Sequence, residues 1–186
     1  MQFPQDGSFL VFRQLDQLVP EFDTFLYNQA NNVNVPGYPE LTKDQKKELL
    51  GARLVGRWKS GAPVDKAPVF DDIALANDKT RVNNFSFLPD VDSQIRCPFH
   101  AHVRKTMPRA DLALLSNPPP NFGILNIFRI MRAGIPYGPE VSDSERQNKA
   151  TENVRGLAFV CYQSEISNGF RFIQHSASSR GLLYPR

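Results

Sequence analysis

Histidine and cysteine are scarce: the 186 residues include three of the first and two of the second. Cys97 and Cys161 make no disulfide framework and neither lies in a C-x-x-C pair, which removes zinc-ribbon and thioredoxin-like chemistry. Both are expected as buried thiols. No apolar run approaches the roughly 18 residues needed to cross a bilayer, so no membrane span is expected. The opening M-Q-F-P-Q-D-G-S lacks the basic and apolar regions of a signal peptide. Charge bias is missing too. The 22 basic and 19 acidic residues are spread along the chain and leave a net +3, far below what a dedicated nucleic-acid binder carries. Neither repeats nor low-complexity tracts occur. Asn84-Phe85-Ser86 fits the N-glycosylation pattern, which means little without a secretory route. Compartment stays open.

What is present is ordinary globular composition, with length enough for one domain burying roughly 70% of its extended surface. S-F-L-V-F-R-Q after Gly7 reads as a buried strand. From Leu15 the apolar spacing turns helical through Leu18, Phe22 and Leu26, with Pro20 starting or kinking the helix. Residues 27–41 read as a loop. Thr42 and Gln45 form a T-x-x-Q capping box for a helix reaching about Val55. The stretch from Gly61 to Pro98 is broken repeatedly by Gly, Pro, Asn and Asp; its dispersed Phe70, Phe85, Phe87 and Leu88 suggest an ordered, packed loop. Strands are expected at 122–132 and 155–162, and a last helix over I-S-N-G-F-R-F-I-Q, capped by Ser164 or Ser167. This order predicts an α+β fold: a ferredoxin-like antiparallel sheet with helices on one face.

The segment C-P-F-H-A-H-V-R-K-T-M-P-R, Cys97 to Arg109, gathers two histidines, a cysteine and three cations. A structural zinc needs four ligands, and the only other candidates, Cys161 and His175, match no standard spacing. A neutral imidazole followed by Arg104, Lys105 and Arg109 would instead supply an axial ligand to haem iron and cations for its propionates. Plain surface histidines are the competing reading. Further on, R-G-L-A-F-V-C-Y (155–162) matches the RNA-recognition strand signature except at Leu157, where an aromatic should stack on a base. A buried strand is the simpler account.

The Cys97–Arg109 segment closely resembles the C-P-x-x-A-H-x-R-x-x-N-P-R motif of dye-decolourising haem peroxidases, especially the fungal secreted group. The resemblance continues through R-I-M-R-A-G-I-P-Y-G-P-E (129–140), R-G-L-A-F-V-C-Y-Q-S-E-I-S-N-G-F-R-F-I-Q (155–174) and, upstream, D-G-S-F-L-V-F-R-Q. It covers residues 6–174 and leaves 175–186 as a divergent tail. It implies the C-terminal, haem-bearing domain of such an enzyme, one half of a dimeric α+β barrel. It also implies haem b as cofactor, and hydrogen peroxide with aromatic dyes or phenols as substrates. By this resemblance His102 is the axial iron ligand and His100 is incidental. Arg104 and Arg109 line the proximal side and meet the propionates. Arg132 is the distal arginine, and Leu157 and Phe159 are apolar distal-pocket residues. Tyr137 is a candidate for carrying oxidising equivalents to the surface, or an ordinary strand-end aromatic. Met107 stands where the motif has Asn. The family's distal G-x-x-D-G acid lies in an upstream half that this sequence does not contain, and the proximal histidine's acidic partner is not evident. Three readings follow: a peroxidase or a portion of one, a haem binder of poor activity, or a ferredoxin-like binding module without haem. The sheet edges could be covered by a second copy or by an N-terminal half.

Overall fold

The structure is a computed structural model that describes residues 6–90, 93–107, 109–111 and 128–178. In chain order the principal elements are β1 (Phe9–Asp16), α1 (Val19–Gln29), α2 (Lys43–Val55), α3 (Ile73–Asn77), α4 (His102–Thr106), β2 (Met131–Tyr137), α5 (Asp143–Asn148), β3 (Gly156–Gln163) and α6 (Phe172–Ser178). The described residues form two compact units, 6–25 with 128–178 and those from 26 to 111. No helix of the described residues is long and apolar enough to cross a membrane.

The first unit is built on a three-stranded antiparallel sheet in the order β1-β3-β2. With the helices it makes the ferredoxin-like α+β fold expected from the element order. Strand β1 runs through Leu15 and Asp16, two residues past the expected switch to helical spacing. Pro20 then sits in the first turn of α1, where its missing N–H costs nothing, so it starts the helix and does not kink it.

The strand expected over 122–132 needs correction at its C-terminal part. Residues 128–130 lie outside any strand, and β2 begins at Met131 and continues through Ala133-Gly134-Ile135-Pro136-Tyr137. Residues 122–127 lie outside the described residues. Gly134 and Pro136 read as strand breakers, but among the described residues β2 is an edge strand, where a proline forfeits no ladder bond it needs.

Strand β3 is central, and its glycine at the first position is dictated by space. A Cβ on Gly156 would lie 2.1 Å from the Leu15 carbonyl oxygen and 2.6 Å from the Tyr137 hydroxyl. Gly156→Ala should therefore cost about 3 kcal/mol, the upper end of overpacking penalties, read as a lowered urea midpoint.

After β3 a π-helical turn, Ser167–Arg171, leads into α6. Neither Ser164 nor Ser167 caps it; the residue before the turn, Ile166, makes no side-chain cap bond. Gln163 takes over that work, its side-chain oxygen accepting the Phe170 N–H at 2.5 Å. Helix α5, missed in the sequence, carries the same S-x-x-E signature that marks capping boxes: Ser142 and Glu145 exchange both bonds. Glu145 then accepts the N–H groups of Glu152 and Asn153 and pairs with Arg155 at 2.6 Å, which holds its carboxyl well below the usual range.

The second unit has its core between α2 and the irregular segment after it: Leu49, Ala52, Trp58, Ala62, Val64 and Leu75 are buried together. The capping box at Thr42 forms as expected, with Gln45 N–H donating to the Thr42 hydroxyl and Thr42 N–H to the Gln45 side chain. Gly56 ends α2 in the left-handed region, φ 91°. The expected packed loop after it is real. Trp58 Nε1 donates to the Ala67 carbonyl at 2.7 Å, Arg57 Nη1 to the Gly61 and Val82 carbonyls, and Arg96 Nη1 to the Asp65 carbonyl.

Candidate functional site

Helix α4 is only five residues long and cannot hold its own orientation by propensity. Packing holds it. Ala101 and Arg104, three residues apart, point inward and are wholly buried, while Val103 and Ala101 rest on Gly56: a Cβ there would sit 3.1 Å from the Val103 Cβ. The bare Cα of Gly56 thus allows α4 to approach the end of α2. With those positions turned inward, His102, at the first helical position, is exposed, as is His100 before it.

Arg104 requires a correction. Its guanidinium is buried and contacts solvent nowhere, so it cannot reach a propionate from this position. Nε and Nη2 grip both Asp111 carboxylate oxygens at 2.7 Å each. Nη1 donates to Asp90 Oδ2 at 3.2 Å and to the Cys97 carbonyl, and Nη2 to the Asp90 carbonyl at 3.0 Å. Phe87 and Phe99 bracket the same group, 5.1 and 4.4 Å from it. Asp90 also accepts the Cys97 N–H at 2.7 Å. Arg104 is therefore the rivet that fastens the histidine helix to the loops before and after it. Sequence reading missed Asp90 and Asp111, although two acids bracketing the motif were a usable signal.

Arg109 is only half committed. Its Nη1 donates to the carbonyls of Asn83 and Phe85, and its plane stacks on the Phe85 ring 3.7 Å away. Burial and the nearby charge of Arg57 lower its pKa, opposed by the carboxylate of Asp65. Nε and Nη2 have no hydrogen-bond partner among the described residues, so an anionic group can still be met there.

Cys97 is a buried thiol pushed up to about 12, chiefly by burial, so it offers no thiolate to a metal. Among the described residues no cluster of three or more metal-ligating side chains occurs. Asp65, also buried, has an Oδ1 with no partner. Burial raises its pKa, partly opposed by Arg96. A carboxyl whose folded pKa is raised destabilises the fold once ionised, and this cost vanishes below the unfolded pKa. Asp65→Asn should therefore raise the urea midpoint near pH 7 and leave it unchanged near pH 3, where both side chains are neutral.

The sheet assembles the other expected residues. Arg132, Gly134 and Pro136 pair with Cys161, Phe159 and Leu157, so Arg132, Leu157 and Phe159 share one face of the sheet. Leu157 lies across the gap left by Gly134, where a Cβ would come within 3.1 Å of its Cδ1. Phe159 packs on Phe170, ring centres 5.8 Å apart. Arg132 is exposed and makes no hydrogen bond or ion pair among the described residues. This is a half-buried apolar platform with one uncommitted cation at its edge. Tyr137, an odd number of residues on, occupies the opposite face and donates to Asp16 at 2.6 Å.

Each unit by itself offers groups of the kind that haem binding needs. The second has an exposed imidazole on a fastened helix with a half-free guanidinium seven residues on. The first has an apolar sheet face bearing a cation with no ion-pair partner among the described residues. No protein-family model matches the chain. A dye-decolourising peroxidase of Mycetinis scorodonius is 51% identical over 174 residues, 91% of this chain and 31% of that protein. The chain belongs to the dye-decolourising peroxidase family. A solved ancestral D-type dye-decolourising peroxidase is 53% identical and superposes with a TM-score of 0.85, covering 97% of this chain and 38% of that one. A dye-decolourising peroxidase solved in complex with 2,6-dimethoxyphenol is 48% identical, TM-score 0.79, covering 91% of this chain and 36% of that one. This dye-decolourising peroxidase chain thus spans about a third of the length of the curated relatives it matches.

Proposed function

We propose that the chain carries the haem-binding part of a dye-decolourising peroxidase, which takes hydrogen peroxide as oxidant and aromatic dyes or phenols as reductants. The observation that carries this reading is the shared face of Arg132, Leu157 and Phe159, with an exposed His102 on a fastened helix. His102 would hold the iron of haem b through a neutral imidazole nitrogen, and Arg109 would meet a propionate with its uncommitted side. Bound haem supplies the iron at which the peroxide O–O bond is cleaved. Arg132 holds a fixed positive charge that favours the peroxide anion and stabilises negative charge on the departing oxygen. Leu157 and Phe159 keep bulky donors and bulk water off that face. The solved relative bound to 2,6-dimethoxyphenol supports a phenol as the reductant class.

Titration of the purified chain with hemin tests the reading. A Soret band of ligated haem is expected for the unaltered chain and for His100→Ala, and it should be lost in His102→Ala. A band that survives His102→Ala, or none under any condition, removes the reading and leaves a ferredoxin-like module without haem. Ligated haem without peroxide-dependent oxidation would leave a haem binder of poor activity.

A further inference from the structure

His100 has no part in the haem reading, yet it lines a cleft of about 360 Å³ within the second unit. The cleft lies between α2, residues 32–34 and the segment that leads into α4, and His102 is not among its lining residues. Val33, Leu50, Leu54 and Ala101 give it an apolar wall, Val33 and Ala101 being buried. A cavity of about 150 Å³ is enough to hold benzene, so one aromatic ring fits here with room for a substituent. Arg53 supplies the charge. Its Nη2 donates to the carbonyls of Gln94 at 2.7 Å and Ile95 at 2.6 Å, which fixes the guanidinium in place. Nε is buried without a hydrogen-bond partner, and Nη1 has none among the described residues. Burial lowers the pKa of this arginine, opposed by Asp90 and Cys97. No aspartate or glutamate is among the residues that line the cleft, and Arg53 forms no ion pair among the described residues. Asn34 and His100, both exposed, add an amide and an imidazole.

Pockets that take small molecules combine apolar walls with a few fixed polar groups that orient the ligand. An uncharged ring would cover this wall and leave the guanidinium unpaired. A bare inorganic anion would pair with Arg53 and leave the wall wet, and it would find no second arginine in the lining to complete its coordination. A carboxylate carried on a ring satisfies both sides. We propose that the cleft binds a small aryl carboxylate, its ring against Val33, Leu50 and Leu54 and its carboxylate on Nη1 of Arg53. The guanidinium–carboxylate bond is charge-assisted, about twice as strong as a neutral one, and the half-buried setting of Arg53 screens it less than open water would. Nothing in this binding requires iron, so it stands apart from the peroxidase reading.

The test titrates benzoate into the whole chain, free of haem, by isothermal calorimetry. One saturable site per chain is expected, with a Kd on the order of 1 mM for so small a ligand. Benzyl alcohol keeps the ring and acetate keeps the carboxylate; each should bind at least about tenfold more weakly. Arg53→Gln retains an amide that can donate to the Gln94 and Ile95 carbonyls but loses the charge. It should weaken benzoate binding about 10–100-fold, the worth of a hydrogen bond to a charged group. Leu54 is 42% exposed, so Leu54→Asp should fold normally while setting a like charge against the ligand, and binding should be lost. Absence of saturable binding, equal affinity for benzoate and benzyl alcohol, or an affinity unchanged in either variant overturns the proposal. The hemin-loaded chain should bind benzoate as the haem-free chain does; displacement of benzoate by hemin would make the cleft part of the haem site and overturn it too. Because the calorimetry needs no haem, its failure and failure of the hemin titration are separate results.

Discussion

Arg104→Ala is expected to cost the histidine-bearing unit about 3–5 kcal/mol, the range for removing one partner of a buried ion pair. Asp111 is 2% exposed and Asp90 1%, so neither carboxylate can turn to water when the guanidinium is gone. The alanine also removes the packing of a planar group between Phe87 and Phe99. Domains of this size hold about 5–15 kcal/mol in total, so the variant should melt far below the unaltered chain by circular dichroism and bind hemin weakly or not at all. Arg104→Lys should recover little. A single ammonium cannot span both oxygens of Asp111 while also reaching Asp90 and two backbone carbonyls. A lysine variant with unaltered stability would show that the forked geometry is not what fastens α4.

That expectation also explains what the sequence could and could not disclose. The Cys97–Arg109 segment stood out because a clustering of imidazoles and cations is carried by residue types alone, and His102 was chosen within it through the family motif. The destination of each cation was not, since an arginine before a carboxylate outside the chain and one before a carboxylate inside it are written with the same letter. Asp90 and Asp111 lie 14 and 7 residues from Arg104, and only tertiary structure brings all three together. The same limit applies to the long segment after α2. Its order comes from side chains donating to distant carbonyls, as Arg53 does to Gln94 and Ile95 across more than 40 residues, and no local periodicity records such bonds.

Where bonding is local, the reading was close. The Thr42 capping box needs only residues three apart, and β1 and β3 announce themselves by apolar runs. Strand β2 failed because its glycine and proline are breakers only where a partner strand demands a Cβ or an N–H. At the edge of the sheet that the described residues form, Gly134 instead makes room for Leu157. Recognising a platform therefore required knowing which strand is outermost, a property of pairing order that a single segment does not carry.

On that platform, Arg132→Leu should leave the fold almost untouched and remove most of the chemistry. The side chain is exposed on an edge strand and bonds to none of the described residues, so the stability change should stay within about 0.5 kcal/mol, as for surface substitutions elsewhere. The hemin Soret band should persist, because the proposed iron ligand is His102. Peroxide-dependent oxidation of 2,6-dimethoxyphenol by the hemin-loaded chain should fall about 10²–10³-fold, the loss that follows removal of one preorganised group facing developing negative charge. The fall should appear in kcat, since charge on the departing oxygen develops only as the O–O bond breaks. Arg132→Lys keeps the charge but not the forked donors and should fall between the two. Equal turnover in the leucine variant and the unaltered chain would mean that the cation on this sheet face does not act on peroxide.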